Sequence, residues 1–303
     1  MRHELDWNIA VYCLNEEKRL RGCLESVLAA LGERNALVTV ILNGSRDGSA
    51  DIARSFAAAG HPVELFRIAA GDKANAINQF NYRLRSPARA YGGVDGYVHV
   101  ARGSFRAMEE RLASDPAAVA VTGVCRNGRT MCLATQATLT AGGQLHGQLH
   151  SFRRDFIDRM VASGIKLPVG IYWGDGLLGS MAAHDLDAIG KPWENRRIAG
   201  VAAATYDIPP LSVLRPRDLR QQFRRKIRQQ RGRIQNAAIK ELIYKVGYQG
   251  LPDDAEVMVA DYLAANGPPK VGWPDRLFQR LALQEARQSR NPADLVPHGV
   301  ALQ

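Results

Sequence analysis

Short apolar strand patterns alternate with helix patterns over the first 125 residues, and this alternation constrains the fold more than any other feature of the chain. Strands are predicted at WNIAVYCL, ALVTVILN, VELFRIA, VDGYVHV and AVAVTGV, and apolar residues at helical spacing lie between them. Successive units of this kind predict an α/β fold with a mostly parallel sheet and helices on both faces. Ligands of such sheets bind beyond the carboxyl ends of the strands.

Polar motifs follow four of these strands, at the edge where a ligand is expected. Asn15 and Glu16 come directly after the first strand, and Asn43 ends the second strand in the sequence NGSRDGS. Lys73 follows the third strand in GDKANAIN, and Asp95 belongs to the fourth pattern, VDGYV. Carboxylates and amides can pair with hydroxyls and base edges, and a lysine can neutralise a phosphate.

These four motifs, in this order and each at a strand end, resemble those of the family 2 glycosyltransferases. That family has the GT-A fold, a Rossmann-like sheet, and moves a sugar from a nucleotide sugar onto an acceptor. The resemblance covers about residues 8–235. It implies that the residues at the strand ends bind the nucleotide sugar. A UDP-sugar is the expected sugar donor, although Asn43 stands where the family commonly has an acid facing the base.

Asp95 matches the first carboxylate of the family's Asp-x-Asp motif, and Tyr97 replaces the second. The resemblance implies a divalent cation, Mn²⁺ or Mg²⁺, that bridges the two phosphates. On an extended strand His99 would share a face with Asp95, so it is a candidate second ligand that suits manganese better than magnesium. Three alternatives stay open: a metal held by Asp95, diphosphate and water; a metal-free site using Lys73 and the arginines of 224–233; and loss of catalysis.

Downstream, LPVGIYWGDGLLGSM resembles the acceptor-side motif of the same family, in which an acid acts as general base. Asp175 is the match, and Gly174 stands where the family usually has Glu. The resemblance implies an inverting transfer in which Asp175 takes the proton of the acceptor hydroxyl. The alternative role of Asp175 is to cap the helix that follows it.

The sequence QQRGRI resembles the Gln-x-x-Arg-Trp element of family members that lengthen polysaccharides. Gln230 and Arg233 match, Arg231 lies between them, and Ile234 replaces the Trp. The resemblance implies that Gln230 and Arg231 contact the nucleotide sugar and that Arg233 stabilises the departing diphosphate. The missing Trp argues against processive polymer synthesis, and a basic surface helix is the alternative.

Positive charge is concentrated in one segment. The net charge is +10, and residues 215–233 contain nine basic residues against one acid. Leu219, Phe223, Ile227 and Ile234 lie near one face of the predicted helix, with arginines around the rest. This pattern is typical of a helix on an anionic membrane surface, where it would reach a lipid-linked acceptor. Packing of the apolar stripe on the catalytic domain is the alternative, and nucleic-acid binding is disfavoured because no nucleic-acid motif accompanies the helix.

The chain is predicted to contain a GT-A glycosyltransferase domain at residues 1–210 and a basic helical C-terminal region at 211–303. Within the first domain, residues 1–124 form the nucleotide-sugar half and 125–210 the acceptor half. The acceptor half has a less regular pattern of strands and helices than the nucleotide-sugar half, and the end of the chain is polar and expected to be loose.

A cytoplasmic location is expected, with peripheral attachment to the inner face of the membrane as an option. No run of 18 or more apolar residues is present, and the N-terminus lacks the apolar core of a signal peptide. The four cysteines are scattered without a CxxC pair and are predicted to be reduced core residues. They are Cys13, Cys23, Cys125 and Cys132.

Two other functions compete with that of a glycosyltransferase. A nucleotidyltransferase would need a glycine-rich phosphate loop after the first strand, and CLNEEKRL contains no glycine. A catalytically degenerate member of the fold would only bind a sugar nucleotide, a lipid surface or a protein partner. Tyr97 favours that second rival, and Asp175 in its expected context opposes it.

Overall fold

The computed structural model describes residues 4–127, 141–209, 216–285 and 292–299. Within these ranges nine strands form one sheet in the order β5-β8-β6-β7-β4-β1-β2-β3-β9. The strands are β1 (Leu5–Cys13), β2 (Ala36–Asn43), β3 (Val63–Ile68), β4 (Ala88–Asp95), β5 (His99–Val100), β6 (Ala120–Cys125), β7 (Leu149–Arg153), β8 (Ile198–Asp207) and β9 (Pro297–Gly299). The central strands β4, β1, β2 and β3 are parallel, and β7 joins β4 antiparallel.

Helices of the described ranges cover both faces of the sheet. They are α1 (Leu20–Leu31), α2 (Ser49–Ala58), α3 (Lys73–Gln79), α4 (Ser104–Ser114), α5 (Arg154–Ala162), α6 (Gly174–Ala183), α7 (Pro216–Val246), α8 (Ala255–Asn266) and α9 (Arg276–Glu285). A π-helical turn, Phe80–Leu84, follows α3, and short 3₁₀ turns lie at Asn195–Arg197, Trp273–Asp275 and Pro292–Leu295.

Side chains of the strands alternate between two hydrophobic cores, as a pleated strand requires. In β1, Trp7, Ile9 and Val11 pack into a core with α1, α2 and α4, while Ala10 and Tyr12 pack on the other face with α3, α5 and α6. The predicted α/β architecture, with helices on both faces of a large sheet, is therefore confirmed.

Strand β4 begins at Ala88, whereas the sequence predicts a strand only from Val94. Gly92 and Gly93 obscure the pattern because glycine weakens a strand and gives no apolar signal. The structure shows why they are glycines. A Cβ on Gly92 would lie 2.5 Å from Cδ1 of Ile9, and one on Gly93 would lie 2.5 Å from the ring of His150.

The chain turns directly after Asp95, since the backbone N–H of Val98 donates to the carbonyl of Asp95 at 2.9 Å. His99 then begins strand β5, which pairs antiparallel with β8. The prediction that Asp95 and His99 share one face of an extended strand is therefore wrong. A strand pattern read through VDGYVHV contains both the end of β4 and the start of β5.

Helix α7 contains the basic segment and packs on the rest of the protein along most of its length. Ile227, Ile234 and Ile239 are buried, whereas Leu219 and Phe223 are 50% and 46% exposed. The ring of Phe223 lies 5.2 Å from that of Phe278 in α9. The apolar stripe thus divides into a buried part from Ile227 onward and an exposed beginning.

The C-terminal region contributes more than helices, because β9 pairs antiparallel with β3 at the edge of the sheet. The prediction that the end of the chain is loose is wrong for Pro297–Gly299, which form this strand. The division of the chain at 210/211 stays a prediction.

Cys13, Cys23 and Cys125 are buried thiols, as predicted, while Cys132 and Arg215 lie outside the described residues. None of the helices in the described ranges is both long and apolar enough to cross a membrane.

Candidate active site

Predicted site residues from four elements gather at the carboxyl ends of the parallel strands. Asp95 ends β4 beside Tyr12 of β1, and Glu16 follows β1 close enough to Asp95 for their charges to interact. Both acids are buried, and Asp95 is only 8% exposed. Buried carboxylates need partners or ligands, because burial without them is costly.

Both oxygens of Asp95 are engaged by side chains of the site. The ammonium of Lys73 donates to Oδ1, and the hydroxyl of Tyr97 donates to Oδ2 at 3.0 Å. Lys73 also donates to the carbonyl of Gly147 at 3.2 Å. Its Nζ lies 5.6 Å from the ring centroid of Tyr12, within the range of a cation–π contact. Lys73 therefore has a defined position in the site.

The start of α3 explains that position. Asp72 is the N-cap, and its Oδ1 accepts from the backbone N–H of Asn75 at 2.9 Å. Its Oδ2 accepts from Gly170 N–H at 2.7 Å, and its own N–H donates to Oδ1 of Asn43 at 2.7 Å. Asn43, predicted to face the base, thus fixes the loop that presents Lys73.

Asn15, also predicted to bind the nucleotide sugar, holds the first two strand-end loops together. Its φ is +56°, a conformation that asparagine tolerates better than most residues. Its N–H donates to Ser45 Oγ at 3.0 Å, and its Oδ1 accepts from the N–H of Arg46 at 2.9 Å. The structure gives Asn15 a role in shaping the loop.

Glu16 is the most perturbed acid near Asp95. Burial raises its pKa to about 7, Arg19 opposes the rise through an ion pair of 2.6 Å, and the charges of Asp95 and Asp47 add to it. A carboxylate with this pKa changes protonation near neutral pH. In its ionised form it can accept hydrogen bonds from ligand hydroxyls.

Asp175 lies in the first turn of α6, on the other side of Gly147. Its Oδ2 accepts from the N–H of Gly147 at 3.1 Å, and its Oδ1 accepts from Gly176 N–H at 3.0 Å. Trp173 occupies the N-cap position, so the alternative role of Asp175 as the cap is wrong. A Cβ on Gly147 would lie 3.0 Å from Asp175 Oδ2 and 3.2 Å from Lys73 Nζ, so the two groups close around a glycine.

Two histidines beside Gly147 were not identified from the sequence. His150 is buried, and burial together with the positive charge of Lys73 lowers its pKa to about 4. Burial also lowers the pKa of His146, whose Nδ1 lies 3.1 Å from the hydroxyl of Tyr206. Both shifts favour the neutral form of the ring. The sequence HGQLH carries no strand or helix pattern that would have revealed their place.

A cavity of 570 Å³ opens between α6 and α7, and Asp175 lies in its wall. Trp173, Trp193 and Tyr244 supply exposed aromatic surface to it. Its other polar lining consists of Ser180, Gln235, Asn236 and Lys240. Concave sites of this size with mixed aromatic and polar walls are typical of small-molecule binding.

Gln230, Arg231 and Arg233, which the resemblance assigns to the nucleotide sugar and its diphosphate, lie on α7. Arg231 forms an ion pair with Glu256, and Arg233 Nη1 lies 2.7 Å from Oδ2 of Asp275. Gln230 is buried. Over the described part of the chain, neither guanidinium contacts Asp95 or Asp175. The glycine between them, residue 232, packs against Tyr172 and Trp173 and reaches the cavity instead.

The side chains around Asp95 offer few ligands to a divalent cation. Asp95 is one carboxylate with both oxygens engaged, and the ring of His99 lies over Gly22 of α1. Among the residues that the structure describes, no group of three or more His, Cys, Asp or Glu side chains could hold a metal ion. Magnesium and manganese prefer several oxygen ligands. The side chains present do not fit such an ion.

Comparisons with known proteins agree with the motifs. Residues 8–128 match the model of the family described as Glycosyl transferase family 2, and no curated protein matches the chain. The mannosyltransferase PcManGT from Pyrobaculum calidifontis, solved with GDP-Man and Mn²⁺, is 17% identical with a TM-score of 0.59, covering 94% of this chain and 81% of that one. S. aureus TarS 1-349 in complex with UDP-GlcNAc is 13% identical with a TM-score of 0.53, covering 93% and 80%. The predicted GT-A fold and the family resemblance are confirmed.

Proposed function

We propose, from the family 2 glycosyltransferase domain that residues 8–128 form, that this protein moves a sugar from a nucleotide diphosphate sugar to an acceptor hydroxyl with inversion. The observation that carries the proposal is the bridge through Gly147. Its carbonyl accepts from Lys73, which pairs with Asp95, and its N–H donates to Asp175. Lys73, the proposed phosphate-binding cation, and Asp175, the proposed base, thereby contact the same glycine.

The nucleotide diphosphate is expected at the strand ends. Glu16 would accept hydrogen bonds from ribose hydroxyls, and the exposed part of Lys73 would pair with a phosphate. Both UDP and GDP are retained as candidates, because the solved neighbours contain UDP-GlcNAc and GDP-Man. Mn²⁺ accompanies GDP-Man in one of them, so the cation belongs in every binding assay.

The acceptor is expected in the 570 Å³ cavity, beside Asp175. An inverting transfer needs a base that takes the hydroxyl proton as the oxygen attacks the anomeric carbon opposite the diphosphate. Asp175 is suited to this role because it lines the cavity and is oriented by Gly147 N–H and Gly176 N–H. Ring faces of Trp173, Trp193 and Tyr244 offer stacking surface to a sugar or another flat acceptor group.

The test is calorimetric titration with UDP, GDP and dTDP, followed by a transfer assay with the sugar nucleotide of the base that binds. Asp175→Asn should abolish transfer and leave nucleotide binding nearly intact. Asp51→Asn, on the exposed face of α2, is the matched control. Turnover retained in Asp175→Asn would remove Asp175 from the base role. A folded protein that binds none of the nucleotides would favour the non-catalytic binding protein suggested by Tyr97.

We propose further that the exposed beginning of α7, together with α9 and the 3₁₀ turn before it, docks on an anionic lipid bilayer. Trp273 is 82% exposed, and Leu219, Phe223 and Leu277 are also exposed. Arg220, Arg224, Lys226 and Arg228 are exposed on the same stretch of α7. Apolar anchors mixed with basic residues match an anionic headgroup layer.

Sedimentation with phosphatidylglycerol and phosphatidylcholine vesicles tests the docking. We expect binding to the anionic vesicles only, with loss at high salt because exposed charges are screened. Trp273→Ala with Leu277→Ala should weaken binding, and Ile189→Ala, an exposed apolar residue elsewhere, should not. Absence of binding to both vesicle types would refute membrane docking and leave a soluble acceptor.

A further inference from the structure

We propose that the ammonium group of Lys73 occupies the place of a divalent cation at Asp95, so that the nucleotide diphosphate binds without metal. This inference rests on the proposed function, since it concerns the same sugar-donor site. It begins from the poor fit between a divalent cation and the side chains around Asp95.

Each oxygen of Asp95 already accepts a hydrogen bond from a neighbouring side chain. Lys73 donates to Oδ1, and Tyr97 donates to Oδ2 at 3.0 Å. A cation that bound both oxygens would have to displace a charged and a neutral partner at once. Tyr97 is itself held from the other side, because the guanidinium of Arg19 lies 5.7 Å from its ring centroid.

Charge balance points the same way. With Tyr97 in place of the second acid, the motif carries one carboxylate, Asp95, and Lys73 pairs with it as a single positive charge. The pair is neutral before ligand arrives. A divalent cation placed beside the ammonium of Lys73 would be repelled at short distance in a partly buried setting, where screening by water is weak.

Lys73 is also fixed well enough to act as a phosphate-binding cation. The Gly147 carbonyl accepts from it, and the Asp72 cap fixes the start of its helix. The side chain is 39% exposed, so its ammonium is open to a ligand while the Tyr12 ring and Asp95 lie behind it. A lysine held in this way can meet a diphosphate with charge-assisted hydrogen bonds.

The experiment is calorimetric titration of the full chain with UDP, GDP and dTDP, in EDTA and in Mn²⁺. The wild type should bind its preferred nucleotide with the same Kd in both. Lys73→Ala should weaken binding about tenfold or more, the loss expected for a charge-assisted contact. Lys73→Arg keeps the positive charge and should therefore recover part of the lost nucleotide affinity. Thermal unfolding of each variant checks that the fold is retained.

The decisive variant is Tyr97→Asp, which restores the second carboxylate of the family motif. It should bind the nucleotide more weakly in EDTA than in Mn²⁺, whereas Tyr97→Phe, the matched control without a carboxylate, should stay indifferent to metal. Wild-type binding that requires Mn²⁺ would overturn the role of Lys73 and leave the proposed function standing. Absence of nucleotide binding in both buffers would overturn both.

Discussion

Glu16 offers the most quantitative test of the site, through the variant Glu16→Gln. The carboxylate is buried beside Asp95 and paired with Arg19 at 2.6 Å. Burial raises its pKa from the ordinary 4.5 to about 7, against the opposing charge of Arg19. Glutamine has nearly the same shape and no proton to lose. It therefore isolates the free energy of ionising this side chain in the folded protein.

Proton linkage gives the direction in which Glu16 changes the stability of the protein with pH. Below pH 4.5 Glu16 is protonated in both states, and its ionisation affects stability little. Between pH 4.5 and 7 the unfolded chain loses the proton first, so wild-type stability falls as pH rises; above 7 the loss is complete. The full displacement of the pKa corresponds to about 3 kcal/mol. Because water still reaches part of the carboxylate, we expect about 1–2 kcal/mol.

Urea unfolding at pH 4.5, 6 and 8 measures this difference. Glu16→Gln should gain about 1–2 kcal/mol relative to the wild type between the lowest and the highest pH. Glu25→Gln, exposed on α1, is the control and should show no such trend. A difference that is the same at all three pH values would refute the reasoning, as would a Glu16→Gln protein that loses stability relative to the wild type as pH rises.

The same residue links pH to ligand binding. If ionised Glu16 accepts hydrogen bonds from ribose hydroxyls, nucleotide affinity of the wild type should rise from pH 6 to 8, across its pKa of about 7. Glu16→Gln should bind with an affinity that lacks this rise. An equal pH dependence in both proteins would exclude Glu16 as its source.

Two further predictions concern the bridge and the scaffold. Gly147→Ala should lower the transfer rate about tenfold or more with the fold retained, since its Cβ would lie 3.0 Å from Asp175 Oδ2. Gly272→Ala, at an exposed site, is the control. An unchanged kcat in Gly147→Ala would refute the prediction. Burial opposes ionisation of Asp185, yet hydrogen bonds from Arg197, Arg159 and Lys191 hold its pKa well below the usual range. Asp185→Asn should therefore cost about 2 kcal/mol at pH 7, and the difference should shrink as pH falls below 3.8 toward the folded pKa; an equal cost in urea unfolding at pH 7 and pH 3 would contradict this.

The central sheet could be predicted from the sequence because its strands are apolar runs between clear helices. β2 falls where β-branched residues cluster, and β1 contains a short apolar run. The start of β4 could not be predicted, because Gly92 and Gly93 are required by Ile9 and His150, which pack against them from distant parts of the chain. β9 could not be predicted for a similar reason. Its three residues pair with β3, and no local pattern in them indicates this partner.

The residues of the site likewise divide into those that the sequence predicts and those that it does not. Lys73 and Asp95 follow parallel strands, so topology alone brings them to one edge, and the sequence predicts both. Gly147 and His150 reach the site through β7, whose antiparallel pairing with β4 sets His150 opposite Gly93. That pairing has no signature in the segment itself. The partners of Arg231 and Arg233 depend on how α8 and the Trp273–Asp275 turn lie against α7, which periodicity does not specify.

The Gly147 peptide connects the two halves of the reaction physically. Its carbonyl is bound by the cation expected to meet the leaving diphosphate, and its N–H orients the expected base. A shift of Lys73 toward a bound phosphate would move the acceptor of its hydrogen bond, and with it the donor to Asp175. Under the proposed function, occupancy of the sugar-donor site and the position of the base would therefore be coupled through one residue. We expect changes at Lys73 to alter the rate of acceptor attack as well as nucleotide affinity, whereas changes at Glu16 should alter affinity alone.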